Sequence, residues 1–321
     1  MEQITHEPTS NHMNWNESYY FLFYDKKTEL GLMNRVGFKP NKPEGMTFLF
    51  LFLPDGSVAA FHTTDECESY PNSLDVAGVS HQPKPDGTWE YSFDGSLVVV
   101  EDSEQLPKAR ERPELISDLL ESHIQLSFDP LNKPYEYSEH MTPESLELGR
   151  KSGDKHWEQI ATISGSIELG ENRYSINSVI GQRDHTHGIR DWTGVGNWFY
   201  FVVWFDENLA VNPAAVVAED GSLATGGFIF REGENVPLTS IEVISHEFRA
   251  DGVFPTRTEL ELKDNEKNIY RLIGEPGPIV PVPFTDSSGR ESVLVQSFGK
   301  FELDNRLDGY GSYETLRRFT I

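Results

Sequence analysis

From residue 19 onward, apolar and polar residues alternate in short runs broken by turn residues, the pattern of half-buried strands rather than of helices. The runs fall at 19–24, 31–38, 46–53, 58–63, 89–100, 124–128, 156–169 and 174–182, and then at 198–205, 211–218, 226–231, 240–250, 256–263, 268–273, 292–302 and 309–319. Pro54-Asp55-Gly56 and Pro85-Asp86-Gly87 join neighbouring runs, with Pro presetting one backbone angle and Gly accepting the positive one. Gly170-Glu171-Asn172 reads as a tight hairpin. Roughly eight runs precede the segment 183–192 and roughly eight follow it, so the pattern predicts an all-β chain of two tandem antiparallel barrels of lipocalin size, residues 14–188 and 189–321.

Two stretches depart from this rhythm. After Pro113 the residues Glu114-Leu115-Ile116-Ser117-Asp118-Leu119-Leu120 have helical apolar spacing behind an N-terminal proline, which predicts one short helix over 113–120. Residues 129–154 are rich in Pro, Ser, Glu and Lys without a period and read as a long loop, either a lid or a plain connection.

Composition narrows the possible partners. Lys and Arg total 27 against 52 Asp and Glu, a formal charge of -25, which excludes nucleic acid and anionic membrane surfaces as natural partners. Cys67 is the only cysteine, so no intrachain disulfide forms, and a cytoplasmic location is the expectation. The start of the chain lacks the pattern of a signal peptide, and no apolar run approaches the ~20 residues of a membrane helix, so no stable membrane insertion is expected.

Candidate chemistry concentrates in Gly181-Gln182-Arg183-Asp184-His185-Thr186-His187-Gly188-Ile189-Arg190-Asp191-Trp192, which holds two of the ten histidines and two Arg-Asp pairs. If the strand continues through it, Arg183, His185 and His187 point to one face and Asp184 and Thr186 to the other. His185, His187 and Asp191 share the His-x-His-carboxylate spacing of cupin metal barrels. The carboxylate there is normally Glu, His246 has the wrong surroundings, and Arg183 and Arg190 repel a cation, so no metal is expected. For acid–base work, one Arg per Asp lowers the carboxyl pKa by ~1–3 units and burial raises it by as much or more; pairing keeps Asp184 and Asp191 ionised as orienters unless one faces an apolar pocket, which shifts proton transfer to His185 and His187. A buried ion-pair brace between the barrels explains the same residues.

His156-Trp157-Glu158-Gln159, the central run and the closing Gly309-Tyr310-Gly311-Ser312-Tyr313-Glu314 together resemble the bacterial two-domain lipocalin-like family related to hydroxyneurosporene synthase, the carotenoid 1,2-hydratase. The closest similarity is to a branch carrying Arg-Asp-His-Ser-Trp-Gly-x-Arg-Asp-Trp; this chain departs from it at Thr186 and His187. The resemblance implies tandem lipocalin-like barrels and a pocket in which an alkene is protonated or folded without a cofactor.

The expected function is therefore a cofactor-independent hydratase, dehydratase, cyclase or isomerase acting on an apolar terpenoid or polyene-like small molecule. His187, His185, Asp184 and Asp191 are the candidate catalytic residues. Arg183, Arg190, Trp192, Trp198, Tyr200, His156, Glu158 and Tyr313 are the candidate substrate contacts, with Trp192, Trp198 or Tyr200 stabilising a cation. Trp198, Tyr200, Val202 and Trp204 also read simply as one core face of a strand, and His156 and Glu158, which share a strand face, as members of a cross-strand ion pair. His62, His81, His123 and His140 read as loop or surface residues. A non-catalytic lipocalin-like carrier of a hydrophobic ligand is the second reading, and a cupin-like metal enzyme the third.

Overall fold

The computed structural model describes residues 3–67, 70–149, 152–217 and 221–319. The chain forms two compact units, one of Met1–Tyr135 with Gly153–Arg190 and the other of Glu136–Ser152 with Asp191–Ile321. It is all-β as the alternation predicts, with antiparallel barrel architecture and one short α-helix.

In the first unit the strands are β1 (Trp15–Asp25), β2 (Leu30–Lys39), β3 (Glu44–Phe52), β4 (Val58–Glu66), β5 (Asp75–Val76), β6 (Val79–Pro83), β7 (Trp89–Val100) and β8 (Ile116–Pro130), then the two-residue β9 (Tyr135–Glu136), β10 (Lys155–Leu169) and β11 (Asn172–Ile189). Their order β4-β3-β2-β1-β11-β10-β8-β7 closes on itself where β4 pairs β7 at Val58↔Val100, Ala59↔Val99 and Ala60↔Val98, while β6 and β5 extend the sheet from β7. The odd residues of β1, Tyr19, Phe21 and Phe23, enter a core shared with Tyr91, Phe128 and Ile163; Phe21 stacks on Tyr91 with ring centroids 3.8 Å apart. Each such buried aromatic contributes ~1.5–3 kcal/mol. The turns obey their residues: Gly56 takes φ 87° while Asp55 accepts from the Ser57 amide at 3.0 Å.

The second unit is a closed barrel of β12 (Asn197–Asp206), β13 (Leu209–Val217), β14 (Leu223–Arg231), β15 (Glu234–Phe248), β16 (Pro255–Asp264), β17 (Ile269–Thr285), β18 (Glu291–Leu303) and β19 (Arg306–Phe319). Phe199, Phe201, Val203 and Phe205 of β12 fill its core. Trp198, Tyr200, Val202 and Trp204 form the other face of β12, and all four are buried as well.

Three expectations are corrected. Residues 113–120 do not form a helix: after a single 3-10 turn at Pro113–Leu115 the chain enters β8, and the β7 ladder claims Leu120 opposite Leu97 and Leu119 opposite Val98. Tertiary pairing thus overrides a four-residue apolar spacing, leaving Leu119 exposed. The helix lies instead inside the segment read as loop, as α1 (Pro143–Gly149), where the Thr142 hydroxyl accepts from the Ser145 amide at 3.2 Å as an N-cap ahead of a first-position proline. The run 268–273 continues through Pro276, Pro281 and Pro283 to Thr285; β16 pairs β17 only as far as Gly274, so one edge beyond it needs no amide donors. Among the described residues no helix is long and apolar enough to cross a membrane.

Candidate functional site

The pleat of β11 divides the charged run between two faces. Arg183, His185 and His187 pair with Phe21, Tyr19 and Glu17 of β1, whose side chains face the barrel interior. Asp184 and Thr186 pair with Tyr20 and Ser18 and lie on the outer face. The adjacent Arg183 and Asp184 consequently do not pair with each other, contrary to the sequence expectation.

On the inner face His185 is sandwiched between Tyr19 and Trp157, at ring centroid distances of 4.4 and 5.0 Å. Its Nε2 lies 2.7 Å from Oε1 of Glu17, and Nδ1 of His6 lies 2.7 Å from the same oxygen. The other Glu17 oxygen accepts from the His6 amide at 2.8 Å and from the Tyr70 hydroxyl. The Glu17 and His185 side chains are both 0% exposed. Burial by itself would raise the Glu17 carboxyl, but the hydrogen bonds and charge of His185, with Tyr70 and His6, outweigh it and hold the group below its usual range. His187 packs on His6 at 4.0 Å; burial first, and His6 next, push its pKa down to about 4. Its Nδ1 is buried without a hydrogen-bond partner among the described residues. Arg183 donates to Gln159 Oε1 at 2.9 Å and covers the Trp89 ring at 4.6 Å. His81, expected at the surface, is 1% exposed and donates from Nε2 to Asn34 Oδ1 at 2.6 Å; burial and Arg183 lower its pKa to about 3.

The outer face carries a second constellation. His156 Nε2 donates to Glu158 Oε1 at 2.6 Å, which leaves Nδ1 to accept from the Thr186 hydroxyl, also at 2.6 Å. Gln182 donates to the other Glu158 oxygen at 2.5 Å. Asp184 stands opposite Glu158 on β10 and opposite Tyr20 on β1. Burial, reinforced by Glu158, raises the Asp184 carboxyl to about 6 against the pull of His156, Arg190 and Arg35. The shift expected from a neighbouring arginine is therefore reversed in direction, because desolvation outweighs the charges around Asp184, the exception that the sequence leaves open. Tyr20, Phe48 and Phe50 line the same face, Tyr20 meeting the Phe48 ring at 6.1 Å and Phe48 stacking on Phe50 at 4.8 Å. Gly188, with φ 122°, ends this segment where a Cβ would come within 2.3 Å of the Asp154 amide nitrogen.

The remaining candidates belong to other surroundings. The Arg190 amide donates to the Asn14 carbonyl at 3.0 Å. Asp191 lies in the second unit, where its Oδ1 accepts from the Gly194 amide at 2.9 Å and its Oδ2 faces Arg290 at 3.7 Å; it organises a turn. Trp192 stacks on Phe284 at 4.7 Å and meets Trp198 at 5.4 Å. Trp198 donates from Nε1 to Glu314 at 2.9 Å, and Glu314 also accepts from Gln296 at 2.6 Å. Tyr200 lies on the same β12 face as Trp198, whereas Tyr313 is inside the second barrel, hydrogen-bonded to Thr258.

Among the described residues two sets bring three metal-capable atoms within 4.8 Å of one another: His6, Glu17 and His185, and His156, Glu158 and Asp184. Neither is the cupin-like set. Glu17, His6 and Tyr70 carry no prominent motif. The one signal for Glu17 is its position two residues before Tyr19 in the phase Tyr19, Phe21, Phe23, a carboxylate on the apolar face of a strand.

Solved structures with this fold include an AttH-like protein from Nitrosomonas europaea, with 12% identity, a TM-score of 0.63, and coverage of 94% of this chain and 92% of that one. CghA, in a structure with Sch210972, matches at 10% identity and a TM-score of 0.56 over 94% and 88% of the two chains. Kievitone hydratase from Nectria haematococca matches at 12% identity and a TM-score of 0.53 over 95% and 89%. At these identities the likeness is one of fold. No curated protein matches the sequence. The family model DUF7064, a domain of unknown function, matches residues 2–318, and the chain belongs to that family.

Proposed function

We propose that the protein is an acid–base enzyme of the hydratase, dehydratase or isomerase type acting on an apolar, terpenoid- or polyene-like small molecule, and that its site is the outer-face cluster of Asp184, His156 and Glu158. The supporting observation is that one imidazole and two carboxyls bring their reactive atoms within 4.8 Å of one another on the strand face that also carries Tyr20 and Phe48. Asp184 gives a proton to a double bond or hydroxyl of the substrate. The cation that forms is stabilised by aromatic faces, at ~0.5–2 kcal/mol each. His156, held in one tautomer by Glu158 and Thr186, takes the Thr186 hydroxyl proton at Nδ1 as that hydroxyl takes one from an attacking water or from the adjacent carbon, completing hydration or isomerisation.

His185 and His187, the first candidates from sequence, fit this role less well. His185 is fully buried, and His187 is held neutral at neutral pH. The fold shared with kievitone hydratase and CghA, and the resemblance to the hydroxyneurosporene synthase family, support the same class of chemistry. The test is to extract the apolar molecule that copurifies with the protein, identify it by mass spectrometry, and incubate it with fresh protein in heavy water. Wild-type protein should place deuterium in the product and Asp184→Asn should not. A molecule returned unchanged by the wild type would favour a carrier, and full turnover by Asp184→Asn and Glu158→Gln would remove this site.

A further inference from the structure

We propose that His6, Glu17 and His185 form a binding site for a divalent transition metal of the zinc class on the inner face of the first barrel, with His187 turning in as fourth ligand when the ion binds. The donor atoms are already gathered: His6 Nδ1 and His185 Nε2 each lie 2.7 Å from Oε1 of Glu17, and the three atoms fall within 4.8 Å of one another. Two imidazoles aimed at one carboxylate oxygen form the nitrogen and oxygen donor set that zinc-class ions take.

His187 supplies an independent observation. It is 8% exposed, its ring lies 4.0 Å from that of His6, and its Nδ1 is buried with no hydrogen-bond partner among the described residues. His187 Nδ1 is not among the three gathered atoms, so the ring must turn off His6 to add a fourth bond, and that bond would satisfy the buried nitrogen. At metal–nitrogen lengths of about 2.0–2.1 Å, tetrahedral donors stand ~3.4 Å apart, so the present spacing opens by less than an ångström when the ion replaces the shared protons. Each ring then carries its proton on its other nitrogen.

The surroundings suit a rigid site. Tyr19 and Trp157 clamp the His185 ring on both sides, and Trp157 also stacks on His6 at 5.9 Å with planes 13° apart. The Tyr70 hydroxyl holds the second Glu17 oxygen, as outer partners of metal ligands do. The sequence-based objection from Arg183 weakens, since its guanidinium is engaged by Gln159 and Trp89. The site stands apart from the reaction assigned to the outer face and does not depend on it.

The full chain, dialysed against a chelator, is titrated with Zn2+ by calorimetry and with Co2+ by visible absorption. One equivalent should bind, with Co2+ showing the intense bands of low-coordinate geometry. His6→Ala, a change outside every strand, should lower the metal-free melting temperature through its lost bond to Glu17 yet leave a cooperative unfolding transition, and should weaken binding beyond the ~10–100-fold typical of losing an outer partner, whereas Tyr70→Phe should fall within that range. His187→Ala should weaken binding and alter the Co2+ bands. Absence of stoichiometric binding would overturn the site. So would wild-type affinity in His6→Ala, or binding lost in Asp184→Asn but not in His6→Ala, which would move the ion to the outer set.

Discussion

Asp184 and His185 are neighbours in the chain and project to opposite faces of β11, Asp184 beside Tyr20 on the outer face and His185 beside Tyr19 within the barrel. One strand therefore carries two separate polar clusters, and substitutions one residue apart have different consequences.

Replacing Asp184 with Asn removes an ionisable group from a place where burial disfavours its charge, so the melting temperature should hold or rise. Turnover should fall ~10²–10⁴-fold, the usual contribution of a positioned proton donor. Calorimetric melting and product formation, measured on the same preparation, check both; a lower melting temperature with unchanged turnover would refute the assignment.

His81 makes stability depend on pH. Its folded pKa is depressed to about 3, below the ordinary value of 6.5, so the unfolded chain binds the extra proton first. The penalty is absent above about pH 6.5 and grows as pH falls toward about 3, at no more than ~1.4 kcal/mol per pH unit. Urea unfolding across this range should show wild type losing stability more steeply on acidification than His81→Gln.

Glu314 accepts hydrogen bonds from Trp198 Nε1 and Gln296 Nε2 in a buried setting. Glu314→Ala removes the acceptor of both bonds and should cost ~1–3 kcal/mol. Glu314→Gln, which keeps an acceptor oxygen, should cost less. Denaturant midpoints for the two variants test the ordering.

Gly188 combines φ 122° with a would-be Cβ only 2.3 Å from the Asp154 amide nitrogen. Gly188→Ala should destabilise the protein by at least ~1–3 kcal/mol, because the neighbour is backbone and cannot swing aside. A melting temperature equal to wild type would mean that the chain relaxes here at no cost.

Much of the architecture is legible in local pattern. Trp89–Val100 is a strand with the boundaries its alternation predicts, and the hairpin at Gly170 joins β10 and β11 where its turn residues fall. The pattern misleads where two periods coincide: Leu115, Ile116, Leu119 and Leu120 satisfy a helical spacing, yet the chain from Ile116 on is taken up by the β7 ladder. The short helix is signalled by Thr142-Pro143-Glu144, a cap, a proline and a first-turn acid, within a stretch whose polar composition conceals it.

The candidate chemistry was legible only in part. Alternation by itself places Arg183, His185 and His187 on one face and Asp184 on the other, because a pleated strand has a period of two. It also puts His156 and Glu158 on one face, where the fold bonds them to each other at 2.6 Å, whereas the sequence suggests a cross-strand ion pair. What surrounds each face is a tertiary matter. Glu17 reaches His185 across 168 positions of sequence, His6 comes from outside every strand, and Asp191 turns toward Arg290. Residue order determines which groups share a face, whereas their ionisation depends on burial and on partners brought from elsewhere. That is why Asp184, beside an arginine in the chain, has a raised pKa in the fold.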